Sequence, residues 1–305
     1  MNLYSMSKKV LMVQPIAFAC NEETIVNNHF QDSTVCNEQI VQQKALAEFK
    51  AYENMLQDMG VDVFVLEDTP DPHTPDSIFP NNWVYFEEKK AVLFPMFAPN
   101  RRKERRHDLF SKLRESGTKI TSIEDLSHFE EEGRYLEGTG SMVLDRERKM
   151  AYAALSPRTD KGVFEIFCAR YGYRPFSFHA YQTKGSELLP IYHTNVMMAV
   201  GNNFAIICLE SVKDKKEREA LVDSLKSKNI INISEEQMNN FAGNVIQIRN
   251  ITNESIVVIS ERAWNVLTKE QRDILSSTNR ICMPSIPTIE RYGGGGVRCM
   301  LAEIY

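Results

Sequence analysis

The six cysteines of this 305-residue chain, Cys20, Cys36, Cys168, Cys208, Cys282 and Cys299, form no CxxC pair and no zinc-finger spacing. Neither a disulfide framework nor a structural metal site is therefore expected. No run of about 18 apolar residues occurs, so a membrane-spanning helix is not expected. Basic charge is not in excess: the net charge is -5, unlike chains built to bind polyanions. The one dense basic run, RRKERR at residues 101–106, reads as a solvated face at the start of a helix in preference to a phosphate patch. Linkers rich in proline or serine are also missing, so one domain over residues 1–305 is the simplest division.

What is present is an ordinary globular composition, 43% hydrophobic and 25% charged. Near the N-terminus Lys8 and Lys9 precede a short apolar segment, but Gln14 and Pro15 interrupt it. A strand over residues 9–13 is expected there rather than a secretory leader, and with it a cytosolic location. Short runs rich in β-branched and aromatic residues recur, among them KVLMV, VDVFVL, NWVYF, SMVLD, NFAIICL and SIVVIS. Between them lie helical patterns over residues 38–58 (closing at Gly60), 102–116, 159–171, 214–228 and 261–276. The order strand, strand, helix, strand repeats and predicts an α/β architecture of small units rather than one long parallel sheet. Cys168 and Cys208 sit in apolar runs and read as inert core thiols, and Met197 and Met198 as core residues.

Chemistry concentrates in a few segments. PSIPTIERYGGGGVRCMLAEIY, residues 284–305, carries four consecutive glycines and then Cys299, without the Lys and Ser or Thr of a P-loop. A glycine loop lets backbone N–H groups approach a ligand, and a strand-like run after it would hold the thiol in place, so Cys299 reads either as a nucleophile or as a packed cysteine beside a turn. In PIYHTNVMMAV the polar residues His193, Thr194 and Asn195 interrupt an apolar segment. On a strand, His193 and Asn195 would face one side and enter one cavity together. Glu137, in YLEGTGSMVLD, could bind a cation, orient an imidazole, or lie in a surface turn. PDSIFPNNWVYF adds Asp76, Asn81 and Asn82, whose amides either end a turn or meet a planar polar ligand.

LEGTGS, YHTNV, FAGN (residues 241–244), SERAW and the glycine loop ending in Cys299, in this order, resemble the guanidino-group-modifying superfamily of deiminases, dimethylarginine hydrolases and amidinotransferases. The resemblance runs over nearly the whole chain. It implies a five-bladed α/β propeller (pentein) with pseudo-fivefold symmetry and a central active site. It implies Cys299 as nucleophile, His193 as general acid and then base, and Glu137 as the group that orients His193 or binds the reacting nitrogens. Asn244 of FAGN is implied in substrate binding. Arg158 of SPRT (residues 156–159) resembles an arginine that holds a substrate α-carboxylate, with a surface arginine as the alternative.

Two departures from the pattern bear on substrate. Where relatives acting on a cationic guanidinium carry carboxylates, this chain has Asn195 and Asn82. A neutral ureido group can be bonded by amides without leaving a buried anion unmatched. DSIFPNNW and IYHTNVMM look most like the citrulline utilisation hydrolases, which implies hydrolysis of citrulline to ornithine, CO2 and ammonia; Asp76 or Glu137 could still meet a cation. The alternatives are an arginine deiminase or dimethylarginine hydrolase, an amidinotransferase, or a non-catalytic propeller that only binds. No cofactor and no metal are called for. The expected partner is a small ureido or guanidino amino acid, not nucleic acid or membrane, and homo-oligomerisation is left open.

Overall fold

The structure is a computed structural model in which residues 6–32 and 37–305 are described; Cys36 lies outside the described residues. The chain opens with β1 (Lys9–Gln14), α1 (Glu38–Asp58) and β2 (Asp62–Glu67). Helix α1 has the predicted bounds, because Asn37 caps its first N–H groups and Val41, Ala45, Phe49, Tyr52 and Leu56 form one buried stripe. Gly60 follows with φ +80, as the helix end requires.

Next come β3 (Val84–Glu87), β4 (Lys90–Leu93), α2 (Pro99–Arg102), α3 (Asp108–Glu115) and β5 (Ser122–Asp125). The third group is α4 (Gly138–Ser141), β6 (Val143–Asp145), β7 (Met150–Ala154), α5 (Lys161–Tyr171) and β8 (Arg174–Phe178). A separate hairpin, β9 (Tyr181–Lys184) and β10 (Glu187–Pro190), precedes the fourth, made of β11 (Met198–Val200), β12 (Phe204–Ile207), α6 (Lys215–Leu225), β13 (Asn229–Asn232) and α7 (Glu235–Asn239). Last are β14 (Ile246–Arg249), β15 (Ser255–Val258), α8 (Glu261–Val266), α9 (Lys269–Ser276), β16 (Arg280–Cys282), α10 (Pro287–Gly293) and β17 (Ala302–Ile304).

Among the described residues, five of the six sheets are three-stranded, mixed and open, with one topology. In four of them a hairpin is followed by a helical crossover to a parallel third strand: β3-β4-β5, β6-β7-β8, β11-β12-β13 and β14-β15-β16. The fifth has the same order but joins the two ends of the chain, since β17 pairs antiparallel with β1 and β1 pairs parallel with β2. Apolar clusters link the sheets in turn. One joins the β1 and β3 sheets, one the β3 and β6 sheets, one the β6, β11 and β14 sheets, and one returns from the β14 sheet to the β1 sheet.

Three expectations change. The helix foreseen over residues 102–116 is two helices, and within the charged run Arg101 and Glu104 turn inward, 2% and 3% exposed, while Lys103 stays exposed. The helix over 261–276 breaks at Leu267, where Thr268 starts a new helix with a capping box. Only Ala302–Ile304 of the C-terminal run is a strand, so Cys299 sits in the turn before it. Cys168, Cys208, Met197 and Met198 are buried core residues, as their apolar surroundings required. Among the described residues no helix is long and apolar enough to cross a membrane.

Candidate active site

The turns that lead into the first strands of the five sheets converge. Asn82 lies just before β3, Glu137 caps α4 before β6, His193 and Asn195 precede β11, Asn244 precedes β14, and Cys299 precedes β17. All six side chains are buried, with Cys299 3% exposed and Glu137 fully enclosed. His193 and Asn195 do not lie on the strand that their spacing predicts. Thr194–Val196 is a single 3-10 turn, and it still turns both side chains inward.

His193 Nε2 and Glu137 Oε2 are 2.7 Å apart. Glu137 Oε1 accepts from the Phe97 N–H at 3.0 Å, and its Oε2 lies 3.5 Å from Arg158 Nη1 and 3.9 Å from Arg101 Nη1. Burial works to raise this carboxyl, but Arg158, His193 and Arg101 outweigh it and hold Glu137 below the usual carboxylate range. Burial, aided by Arg158 and Arg101, takes the His193 imidazole down to about 4 against the pull of Glu137. The resting pair is thus an anionic carboxylate and a neutral imidazole. Its Nε2–H donates to Glu137, and Nδ1 is left as the proton acceptor.

Two amides meet the thiol. Asn244 Nδ2 is 3.2 Å and Asn195 Nδ2 is 3.4 Å from Cys299 Sγ. Asn244 cannot turn over without loss, because its Oδ1 accepts the Arg298 N–H at 3.0 Å while Nδ2 also donates to the Asn195 carbonyl at 3.1 Å. Burial raises the Cys299 thiol, and the two amides and Arg298 oppose it. In the glycine loop, a Cβ on Gly296 would lie 2.6 Å from Asn244 Oδ1, and Gly294 has φ +62, so these positions need glycine.

A narrow cavity of ≈ 10 Å³, about the room one water needs, is bounded by Cys299, His193, Tyr192, Asn82, Asp76, Arg101, Arg158, Phe79, Asn28 and the loop Gly293, Gly294 and Gly295. Residues 21–32 roof it. Asn21 donates to Asp76 at 2.8 Å, Asn28 to the Gly293 carbonyl at 3.2 Å and Gln31 to the Tyr292 carbonyl at 3.2 Å. Arg158 is no surface residue: its Nε donates to Asn27 at 2.8 Å, its Nη2 to the Thr24 carbonyl at 2.9 Å, and it packs over the Tyr192 ring. Asp76 keeps Oδ1 without a hydrogen bond, and burial raises its carboxyl against Arg101. Asn195 reaches the thiol but faces a second cavity beyond it, with Thr139, Gln247 and Arg298.

Sequence reasoning missed Arg101 and Glu104. Arg101 Nε and Nη2 hold the two oxygens of Glu104 at 2.8 and 2.9 Å, and its Nη1 donates to Asn82 Oδ1 at 2.9 Å. Nothing in so dense a charged run separates Arg101 from Arg102. The roofing residues were missed as well, since a polar loop carries no periodicity. Among the described residues no group of three or more His, Cys, Asp or Glu side chains is placed to hold a metal ion.

The fold is shared with solved enzymes. ArgZ, an arginine dihydrolase from the ornithine–ammonia cycle in cyanobacteria, superposes with a TM-score of 0.74 at 14% identity over 97% of this chain and 40% of its own. The present chain thus spans about two fifths of the full-length cyanobacterial enzyme. It covers 97% of that enzyme's N-terminal domain, seen covalently bound to a reaction intermediate, with a TM-score of 0.74 at 14% identity. The dimethylarginine hydrolase DDAH from Pseudomonas aeruginosa, as a cysteine-to-serine mutant complexed with citrulline, gives 0.65 at 19% identity over 98% of this chain and 100% of its own. No curated protein sequence matches significantly. The model of the eukaryotic N,N-dimethylarginine dimethylhydrolase family matches residues 14–305. The chain belongs to that family of guanidino-group hydrolases.

Proposed function

We propose that this protein hydrolyses the ureido group of citrulline through a covalent adduct on Cys299. The thiolate adds to the ureido carbon and the C–N bond to the terminal nitrogen breaks. His193, having taken the thiol proton, returns it to that nitrogen, which leaves as ammonia. Water then cleaves the C–S bond, and the released carbamate loses CO2 to give ornithine. Glu137 orients the imidazole and stabilises its charged form. Arg158 is proposed for the substrate α-carboxylate, and Asp76, whose Oδ1 has no hydrogen bond, for the α-ammonium.

The observation that carries this reading is the neutrality of the groups at the thiol. Asn244 and Asn195 touch Sγ, Asn82 borders the same cavity, and Glu137 and Glu104 are each met by an arginine. Among the described residues the carboxylate that borders that cavity, Asp76, has Arg101 Nε 3.7 Å away, and both groups that touch the sulfur are amides. The five sheets, read as blades about a pseudo-fivefold axis, would bring the five turns to that axis. The closed succession of apolar clusters supports this. Substrate would reach Cys299 only when residues 21–32 move, because the cavity is smaller than any amino acid.

Hydrolysis of arginine or a methylated arginine is the second reading, favoured by the family to which the chain belongs. A product assay separates them. Purified protein is given L-citrulline or L-arginine, and ammonia, ornithine and citrulline are scored, with Cys299→Ala as control. Ornithine from citrulline, lost in the variant, supports the proposal; turnover of arginine alone rejects it.

A further inference from the structure

Asn82 borders the cavity with an amide whose orientation is not free. Its Oδ1 accepts from Arg101 Nη1 at 2.9 Å, while its Nδ2 is buried without a hydrogen bond. Arginine has only donors, so the end of the amide that faces it must be oxygen, and the NH2 end is left unbonded beside Gly140 and the His193 imidazole, which borders the same cavity. Arg101 is itself immobilised. Glu104 grips its Nε and Nη2 with both oxygens at 2.8 and 2.9 Å, and the Phe79 carbonyl adds a contact at 3.5 Å. The side chains of Arg101 and Glu104 are at most 3% exposed, so solvent does not compete for these bonds.

A ligand atom that meets Asn82 therefore has to be an acceptor. A guanidinium presents N–H donors in every direction and carries a positive charge toward Arg101. A ureido group presents a carbonyl oxygen and no charge. We infer that the buried Arg101–Glu104 pair is a substrate-selecting device, which fixes Asn82 as an obligate donor and so selects ureido over guanidinium ligands. Arg101 acts here through Asn82 and is a positioning residue. The inference rests on reading the cavity as the ureido or guanidino site proposed above. It goes further in assigning the choice between them to a pair that touches neither the thiol nor the imidazole.

The test is equilibrium binding of L-citrulline and L-arginine by calorimetry, with Cys299→Ser used so that neither ligand is consumed. Citrulline is expected to bind more tightly. Adding Asn82→Asp puts a carboxylate oxygen in place of the donor, and the citrulline-to-arginine preference should fall by roughly 10- to 100-fold, the factor for an unmet buried polar group. Adding Arg101→Met with Glu104→Met removes the buried charges together and frees the amide to rotate, so the preference should fall toward unity. Arg101→Lys keeps a donor and should keep most of the preference. Should the double methionine variant fail to fold, Asn82→Asp and Arg101→Lys decide alone. Arginine bound as well as citrulline by the parent, binding of neither ligand, or a preference that Asn82→Asp leaves unmoved would overturn the inference. Preference for citrulline in binding without ornithine formation by the Cys299 enzyme would reject the proposed hydrolysis and leave the selection standing.

Discussion

Asn244 holds its Nδ2 3.2 Å from Cys299 Sγ because the residue just before the cysteine, Arg298, donates its backbone N–H to Asn244 Oδ1. The thiol and the amide that would stabilise its anion are thus placed by the same turn. A donor aimed at a developing charge in a dry site contributes more than it would in water. Asn244→Ala should lower kcat by about 10² while KM changes little, because the lost bond is to the sulfur rather than to bound substrate. Steady-state kinetics check this. An unchanged kcat would place the thiolate's stabilisation elsewhere.

The Cys299 thiol rests in its protonated form. Burial raises it above its ordinary value of 9.0, and neither amide restores it. At pH 7 the resting thiol is then held in its protonated form. Because the raised thiol stays protonated through the neutral range, alkylation of Cys299 by iodoacetamide should keep accelerating, about tenfold per pH unit, from pH 6 to 8.5. Peptide mapping at Cys299 separates it from the half-buried Cys20. A rate that levels off near pH 7 would mean a resting thiolate–imidazolium pair, and the sulfur would then need no proton removal on substrate binding.

The polar residues that mark the site were legible where they interrupt apolar runs. His193 to Asn195 break PIYHTNVMMAV, and the glycines before Cys299 have no role in a strand, so both segments announce a special backbone. Helix α1 was legible to the residue because its buried stripe and its cap agree. Third strands such as β5 and β13 were not, since their exposed, polar positions give no clean alternation. The pairing of β17 with β1 is a contact between residues almost a chain length apart, to which no local pattern points. Arg101 and Glu104 were hidden for a different reason. Charge normally stays in water, and only the mutual pairing seen in three dimensions makes their burial tolerable.

Gly140 supports the site by having no side chain. A Cβ there would lie 2.3 Å from Asn82 Nδ2 and 2.8 Å from His193 Nδ1. Gly140→Ala must therefore push the imidazole and the amide out of register, and a displacement of about 1 Å costs on the order of 10² in rate. The backbone of Gly140 is not in the left-handed region, so the fold itself should lose little. Activity and thermal unfolding, measured together, check the split. A melting temperature that collapses along with activity would mark the glycine as a packing requirement of the fold instead.

Glu290 ties the stability of the fold to pH. This residue on α10 is 1% exposed, and neither carboxylate oxygen makes a hydrogen bond of good geometry; Arg262 Nη1 is 3.9 Å away. Burial, with a contribution from Glu48 and against Ser260 and Arg262, pushes the carboxyl up to about 7 from 4.5. Between those values the folded chain holds a proton that the unfolded chain has released, so stability from this group falls as pH rises from 4.5 to 7 and stays low above that. The loss approaches about 3 kcal/mol at its limit. Glu290→Gln keeps the shape and removes the ionisation. It should therefore unfold at a higher temperature than the parent at pH 8, with the difference much reduced at pH 5 and vanishing below about pH 4.5, where Glu290 is protonated in both states. Thermal unfolding at the two pH values decides it, and a glutamine variant less stable than the parent at pH 8 would show that the charged carboxylate is matched in the fold after all.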